Sequence, residues 1–203
     1  TISNLMNKIK AFKAAYDNDQ VTFQLASGNV GVMAATNEVV HAGDKLVNGA
    51  LFASVTLLCL WMFRSLRITL CVIIPLALVT VLCNALMALL GSGVKVNTLP
   101  VVALGVGVGV DYGIYLFERI KHEMHEGGME LREAFVEALK QRGTASVFTA
   151  VTMTLSIATW AFSNLKFQAD MGILLAFMFL VNMLGAILLL PALAAWLLPR
   201  AKN

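Results

Sequence analysis

Five long apolar stretches that share a single Asp, Glu, Lys or Arg limit the folds open to this chain more than anything else in it. They cover residues 46–63, 68–90, 98–117, 145–162 and 171–198. Each holds close to the roughly 20 apolar residues a helix needs to cross a hydrocarbon core about 30 Å thick. Four contain no Asp, Glu, Lys or Arg, and the third contains only Asp111. Soluble domains carry about 25% charged residues, whereas 13% of this 203-residue chain is charged and 59% is hydrophobic. Disorder requires the opposite bias. Backbone polar groups find no water inside a bilayer and must bond to one another. The expected fold class is therefore an all-α integral membrane protein with five transmembrane helices.

The borders of these spans carry their own signals. Connections such as Arg64-Ser65-Leu66-Arg67 and residues 91–97 are short and polar. Trp61, Trp160 and Trp196 all fall near span ends, where amphipathic rings favour the headgroup level. Pro191 lies in the last span as a kink or as the end of its membrane part. Arg64, Arg67, Arg119, Lys121, Arg132, Lys140, Arg142, Arg200 and Lys202 fall on one side, and only Lys95 and Lys166 in the short loops of the other. Basic loops stay in the cytoplasm, so the N-terminus is expected outside and the C-terminus inside, as an odd number of spans requires.

Little remains outside the membrane. Ile2, Leu5, Met6, Ile9 and Phe12 have helical spacing, and Val21, Phe23 and Leu25 alternate with polar residues as a short strand would. One helix and one strand cannot form a domain. Residues 1–45 are thus expected to be a small α/β remnant, the end of an extracytoplasmic domain, with residues 30–44 helical and running into the first span. Residues 46–199 form the transmembrane domain. Within it, residues 129–141 place Leu131, Phe135 and Leu139 on one face and Glu133, Glu137 and Lys140 on others, as in an amphipathic helix lying on the cytoplasmic surface. The chain begins at Thr1 with neither an initiator Met nor a signal-peptide pattern, and it is expected to be the end of a longer protein.

Asp111 is the leading functional candidate. A charge at mid-bilayer costs about 2.5–3.5 kcal/mol even on insertion scales, so such a group is paired, hydrated or protonated and marks ion or proton pathways. Gly105, Gly109 and Gly113 recur every fourth residue and share a face with Tyr112, a spacing that lets another helix approach closely. Asp111 lies on a different face, with Gly107 and Tyr115 above and below it. The Tyr112 phenol is placed to bond a carboxylate on a partner helix. Thr149, Thr152, Ser156 and Thr159 form a hydroxyl stripe on the fourth span. Packing and support of a relay both account for it. Asn84 and Asn182 are expected to bond between helices.

Other chemistries find little support. Cys59, Cys71 and Cys83 lie in apolar runs without metal-ligand spacing, and His122 and His125 sit among Glu123 and Glu126 as ordinary solvated charge. No metal site is expected. A dinucleotide-binding GxGxxG would need glycine where Val110 or Tyr112 stands. An intramembrane aspartyl protease would need a second embedded carboxylate, and Asp170 lies at the outer mouth of the last span. The net charge of +3 is unclustered and suggests no nucleic acid.

The run Gly107-Val108-Gly109-Val110-Asp111-Tyr112-Gly113-Ile114-Tyr115-Leu116-Phe117-Glu118-Arg119 closely resembles the fourth-helix motif of the resistance-nodulation-division (RND) superfamily, most of all its MmpL-type, predicted-exporter branch. The resemblance extends from about Val21 to Pro199. It implies the last five helices of one half of a proton-motive-force-driven exporter in a bacterial inner membrane, with hydrophobic or lipid-like cargo. Asp111 would be the proton carrier and Tyr112 its adjacent partner. Thr149, Thr152 and Ser156 would support the relay. The energy source would be the proton gradient, with no cofactor. The implied partners are membrane lipid and a second half whose matching Asp-Tyr helix pairs crosswise with this one; a homo-oligomer or a periplasmic protein would add to these. A SecD/SecF-type accessory of protein export and a sterol-sensing or receptor-like relative share the fold and stand as alternatives.

Overall fold

The computed structural model describes residues 2–17, 29–91 and 99–197. Its helices are α1 (Ile2–Tyr16), α2 (Asn29–Phe63), α3 (Leu66–Leu89), α4 (Leu99–His125), α5 (Leu131–Ala138), α6 (Thr144–Ala158) and α7 (Lys166–Leu197). A π-helical turn, Leu139–Gly143, joins α5 to α6, and a 3-10 turn, Thr159–Phe162, ends α6. Five segments are long and apolar enough to cross a membrane: Leu46–Phe63, Leu66–Leu89, Pro100–His125, Leu131–Phe162 and Lys166–Leu197. The all-helical membrane fold and its five spans agree with the sequence. The small α/β remnant finds no support, since no strand occurs among the described residues, which hold the helices α1 and α2 there. The expected strand residues Val21, Phe23 and Leu25 lie outside the described residues.

Helix α7 is the hub, packed against α3, α4 and α6. Gly105 faces Met178 and Gly109 faces Asn182, so α4 and α7 run parallel in steps of four. Gly185 of α7 faces Pro75 and Val79 of α3, and Gly113 sits between Val72 and Leu190. Gly172 lies against Ile157 and Trp160, whereas Ala150 clusters with Met183 and Ala186. In both pairs one number falls as the other rises, so α3 and α6 oppose α7. Between α2 and α3 the chain turns at Arg64, whose φ of 51° is the left-handed conformation that ends α2. Trp61, Trp160 and Trp196 are all exposed near helix ends, as headgroup anchors should be. Helix α7 continues through Pro191 to Leu197, which membrane helices tolerate when neighbours satisfy the freed carbonyl.

Two features depart from the expected span borders. Helix α4 does not stop near Phe117 but runs two more turns to His125. These turns carry an Arg119–Glu123 ion pair and a His122 Nδ1–Glu126 Oε1 pair of 3.3 Å, both at the i,i+4 spacing that supports a helix. Helix α5 packs on α4, with Ala134 and Ala138 buried and Leu131, Phe135 and Leu139 against the core. Part of its apolar face is thus occupied by protein, while Val136 stays exposed. The π turn carries α5 directly into α6, so Leu131–Phe162 runs as one continuous helical stretch of mixed geometry.

Candidate functional site

The glycines of α4 create the contact on which the site is built. A Cβ at Gly105 would overlap Met178, one at Gly109 would overlap the Asn182 carboxamide, and one at Gly113 would come 3.0 Å from Val72 Cγ1. Their absence lets α7 approach until Asn182 Nδ2 donates to the Gly105 carbonyl oxygen at 2.9 Å, a buried bond. Asn182 therefore bonds between helices as expected, whereas Asn84 is exposed on α3. Asn182→Ala is expected to lower stability by about 0.6 kcal/mol, with about 1.7 as the upper bound for such bonds in membranes. Thermal unfolding in detergent measures this, and an unchanged midpoint would show the bond to be energetically idle.

Consecutive residues on a helix point about 100° apart, and Asp111 and Tyr112 use that angle to face different surroundings. Tyr112 is 5% exposed and packs with Ala150, Met183 and Ala186. Its Oη has no hydrogen-bond partner among the described residues. Asp111 is exposed, opening into a cleft of about 300 Å³ between α4 and α6. Asp111, Tyr112 and Tyr115 line it from α4, and Arg142, Ser146 and Thr149 from the other side. The face continues along α6, since only 6% of the apolar window in Leu131–Phe162 is buried, against 50% in α7. The carboxylate itself stands on α4, whose apolar window is 56% buried, and it faces the cleft beside the open surface of α6.

The hydroxyl stripe divides. Thr149 Oγ1 donates to the Ala145 carbonyl at 2.9 Å, Thr152 Oγ1 to Phe148 at 2.9 Å, and Thr159 Oγ1 to Ser156 at 2.7 Å. Protons of Thr149 and Thr152 are thus committed to α6 itself, but a hydroxyl oxygen keeps lone pairs that accept. Thr149 lines the cleft with Asp111; Thr152 and Ser156 are exposed on α6 and do not line it. Arg142 and Ser146 were not legible as cleft residues. Arg142 read as one of several cytoplasmic cations, and nothing in the sequence announces the π turn that carries it.

The structure also bears on the protease alternative. Asp111 shares its cleft with Ala145, and Gly172, two residues after Asp170, packs against Trp160. Fifteen helical residues separate Ala145 from Trp160, a rise of about 22 Å, so the two carboxylates cannot share a proton. Among the described residues no three His, Cys, Asp or Glu side chains come together as a metal site.

The sequence model of the MMPL family matches residues 4–202. This chain belongs to the MMPL family. The RND-type, MmpL-branch resemblance of the Gly107–Arg119 motif agrees with that membership. "Probable transport protein MmpL9" of Mycobacterium tuberculosis is 34% identical over 178 residues, covering 81% of this chain and 18% of the relative. The "Toluene efflux pump membrane transporter TtgE" of Pseudomonas putida is 28% identical over 210 residues, covering 98% and 20%. The "Hopanoid transporter HpnN" of Rhodopseudomonas palustris is 27% identical over 159 residues, covering 78% and 18%. This MMPL chain thus spans about a fifth of the length of these relatives.

Proposed function

We propose that this chain forms five of the transmembrane helices of one half of a proton-motive-force-driven exporter of hydrophobic or lipid-like substrates. Asp111 is its proton-carrying group, and the N-terminus lies outside a bacterial inner membrane. The observation that carries this reading is the exposure of Asp111 on the open face of an apolar helix. Lipid is a poor host for a carboxylate there, so an equivalent half with its own Asp-Tyr helix covers the face. The buried Tyr112 Oη is unsatisfied among the described residues, at a cost of about 1–3 kcal/mol, and its pairing with an opposing carboxylate requires the ring to swing from its packing against Ala150, Met183 and Ala186 into the cleft it borders. The toluene and hopanoid in the names of TtgE and HpnN support apolar cargo.

Protonation of Asp111 removes the charge, favours closer packing of α4 against the opposing helix and moves the extracytoplasmic part of the transporter. Thr149 assists by accepting from the protonated carboxyl. Thr149→Ala is accordingly expected to slow transport, while Thr152→Ala and Ser156→Ala stay near wild type. The reverse ranking would move the relay deeper along α6. The full-length protein, reconstituted in liposomes under an imposed pH gradient, tests the reading as a whole. Proton flux should accompany efflux of an apolar dye, and efflux indifferent to the gradient would refute proton coupling.

A further inference from the structure

A second open surface lies at the other edge of α4. Leu58, Trp61 and Met62 of α2 and Ile114 of α4 line a groove of about 430 Å³ together with Arg64, the residue that follows α2. It shares no lining residue with the cleft that holds Asp111. Leu58 and Trp61 are 61% and 78% exposed, and only 17% of the apolar window of α2 is buried. Six residues separate Leu58 from Arg64, a rise of about 9 Å on a helix. The groove therefore runs from the headgroup level, where Trp and Arg side chains settle, into the hydrocarbon. An apolar shaft with one cation at its polar end has the polarity of a phospholipid.

The cation lacks a counter-charge within the chain. Arg64 and Arg67 are both exposed, and neither side chain makes an ion pair or hydrogen bond among the described residues. Residues 46–89 contain no acid. Glu118, one turn after Ile114 on α4, pairs with neither arginine. Arg119, by contrast, is committed to Glu123. What the pair faces at this depth is lipid phosphate, and basic pockets between transmembrane helices bind anionic headgroups.

We propose that the α2–α4 groove is a binding site for an anionic phospholipid taken from the bilayer. Its phosphate pairs with Arg64 and Arg67, and an acyl chain lies along Leu58, Trp61, Met62 and Ile114. The site goes beyond the exporter reading and rests on it only for the side of the membrane: with the N-terminus outside, the loop of residues 64–67 meets the cytoplasmic leaflet.

The test uses the full-length protein in phosphatidylcholine nanodiscs. These carry a trace of phosphatidylglycerol or phosphatidylcholine with a photoreactive diazirine on one acyl chain, and crosslinks are mapped by mass spectrometry. The phosphatidylglycerol probe should label residues 58–64 and Ile114 several-fold more than the phosphatidylcholine probe. Arg64→Gln should lower that preference about fivefold, the weight of one arginine near a membrane surface. Arg64 is exposed and unpaired among the described residues, so the variant should stay folded. Arg132→Gln removes an exposed cation of α5 outside the groove and should leave the preference unchanged. Equal labelling by the two probes would mean unselective annular lipid, and an equal loss in Arg132→Gln would mean general surface attraction. Absence of labelling there, with other membrane-facing residues labelled, would mean that another segment of the full-length protein covers the groove. Each of these three results overturns the site. The assay needs no proton gradient, so transport that survives Asp111→Asn would overturn the exporter reading and leave the lipid site standing.

Discussion

Asp111→Asn in the full-length transporter is expected to reduce gradient-driven efflux to the level of protein-free liposomes, with the protein still folded and present in the membrane at wild-type amount. Asn is close to Asp in size and can still bond through its carboxamide, but it cannot take up and release a proton. Asp111 is exposed and makes no ion pair among the described residues, so the substitution breaks no contact within this chain. It also removes a charge whose insertion costs about 2.5–3.5 kcal/mol, so the variant should be no less stable than wild type. Loss of transport with stability unchanged or raised separates a proton carrier from a residue held for packing. Efflux assays paired with thermal unfolding in detergent read both quantities. Retained transport, or transport lost only because the protein unfolds, would sink the assignment.

The second large effect is expected at Gly109. Gly109→Leu places a side chain where the Asn182 carboxamide now lies. Asn182 must then move and release the Gly105 carbonyl, or α4 and α7 must separate. Overpacking a fitted contact costs about 1–3 kcal/mol, and the broken bond adds about 0.6 kcal/mol. Gly107→Leu is the matched control, since nothing lies within 4 Å of a Cβ built there. In detergent the Gly109 variant should unfold well below wild type and the Gly107 variant close to it. Equal losses at the two positions would mean that α4 and α7 do not pack through this glycine face. In the intact transporter Gly107 should respond differently, for it shares the open side of α4 with Asp111, where the opposing half is proposed to dock.

Much of the architecture was legible because the bilayer imposes a simple rule. A run such as 68–90 without a charge has few alternatives to a spanning helix, and it appears as α3, Leu66–Leu89. The glycine periodicity in α4 likewise read as close helix packing, and each of Gly105, Gly109 and Gly113 is buried against a neighbour. Borders set by amphipathic sequence were less legible. The stretch from Glu118 to His125 is too polar to count as membrane, yet it continues α4 with the Arg119–Glu123 ion pair and the His122–Glu126 contact at i,i+4 spacing. That extension gives α5 a protein surface to cover. The π turn was invisible because its residues are ordinary helix formers apart from Gly143, and the bond from Gln141 to Glu123, eighteen residues earlier in the chain, is a tertiary contact.

By itself the sequence determined that this is a membrane protein, which five segments are apolar enough to cross, and that Asp111 is the one residue among Asp, Glu, Lys and Arg left inside them. Those follow from hydration, because an uncharged run of span length and a lone buried acid have the same meaning in any arrangement of helices. Which way Asp111 faces and which hydroxyl and cation line the same cleft were decided only by tertiary structure. Those depend on how α4, α6 and α7 rotate against one another. Contacts between residues far apart in the chain, such as Asn182 bonding to Gly105, hold that rotation.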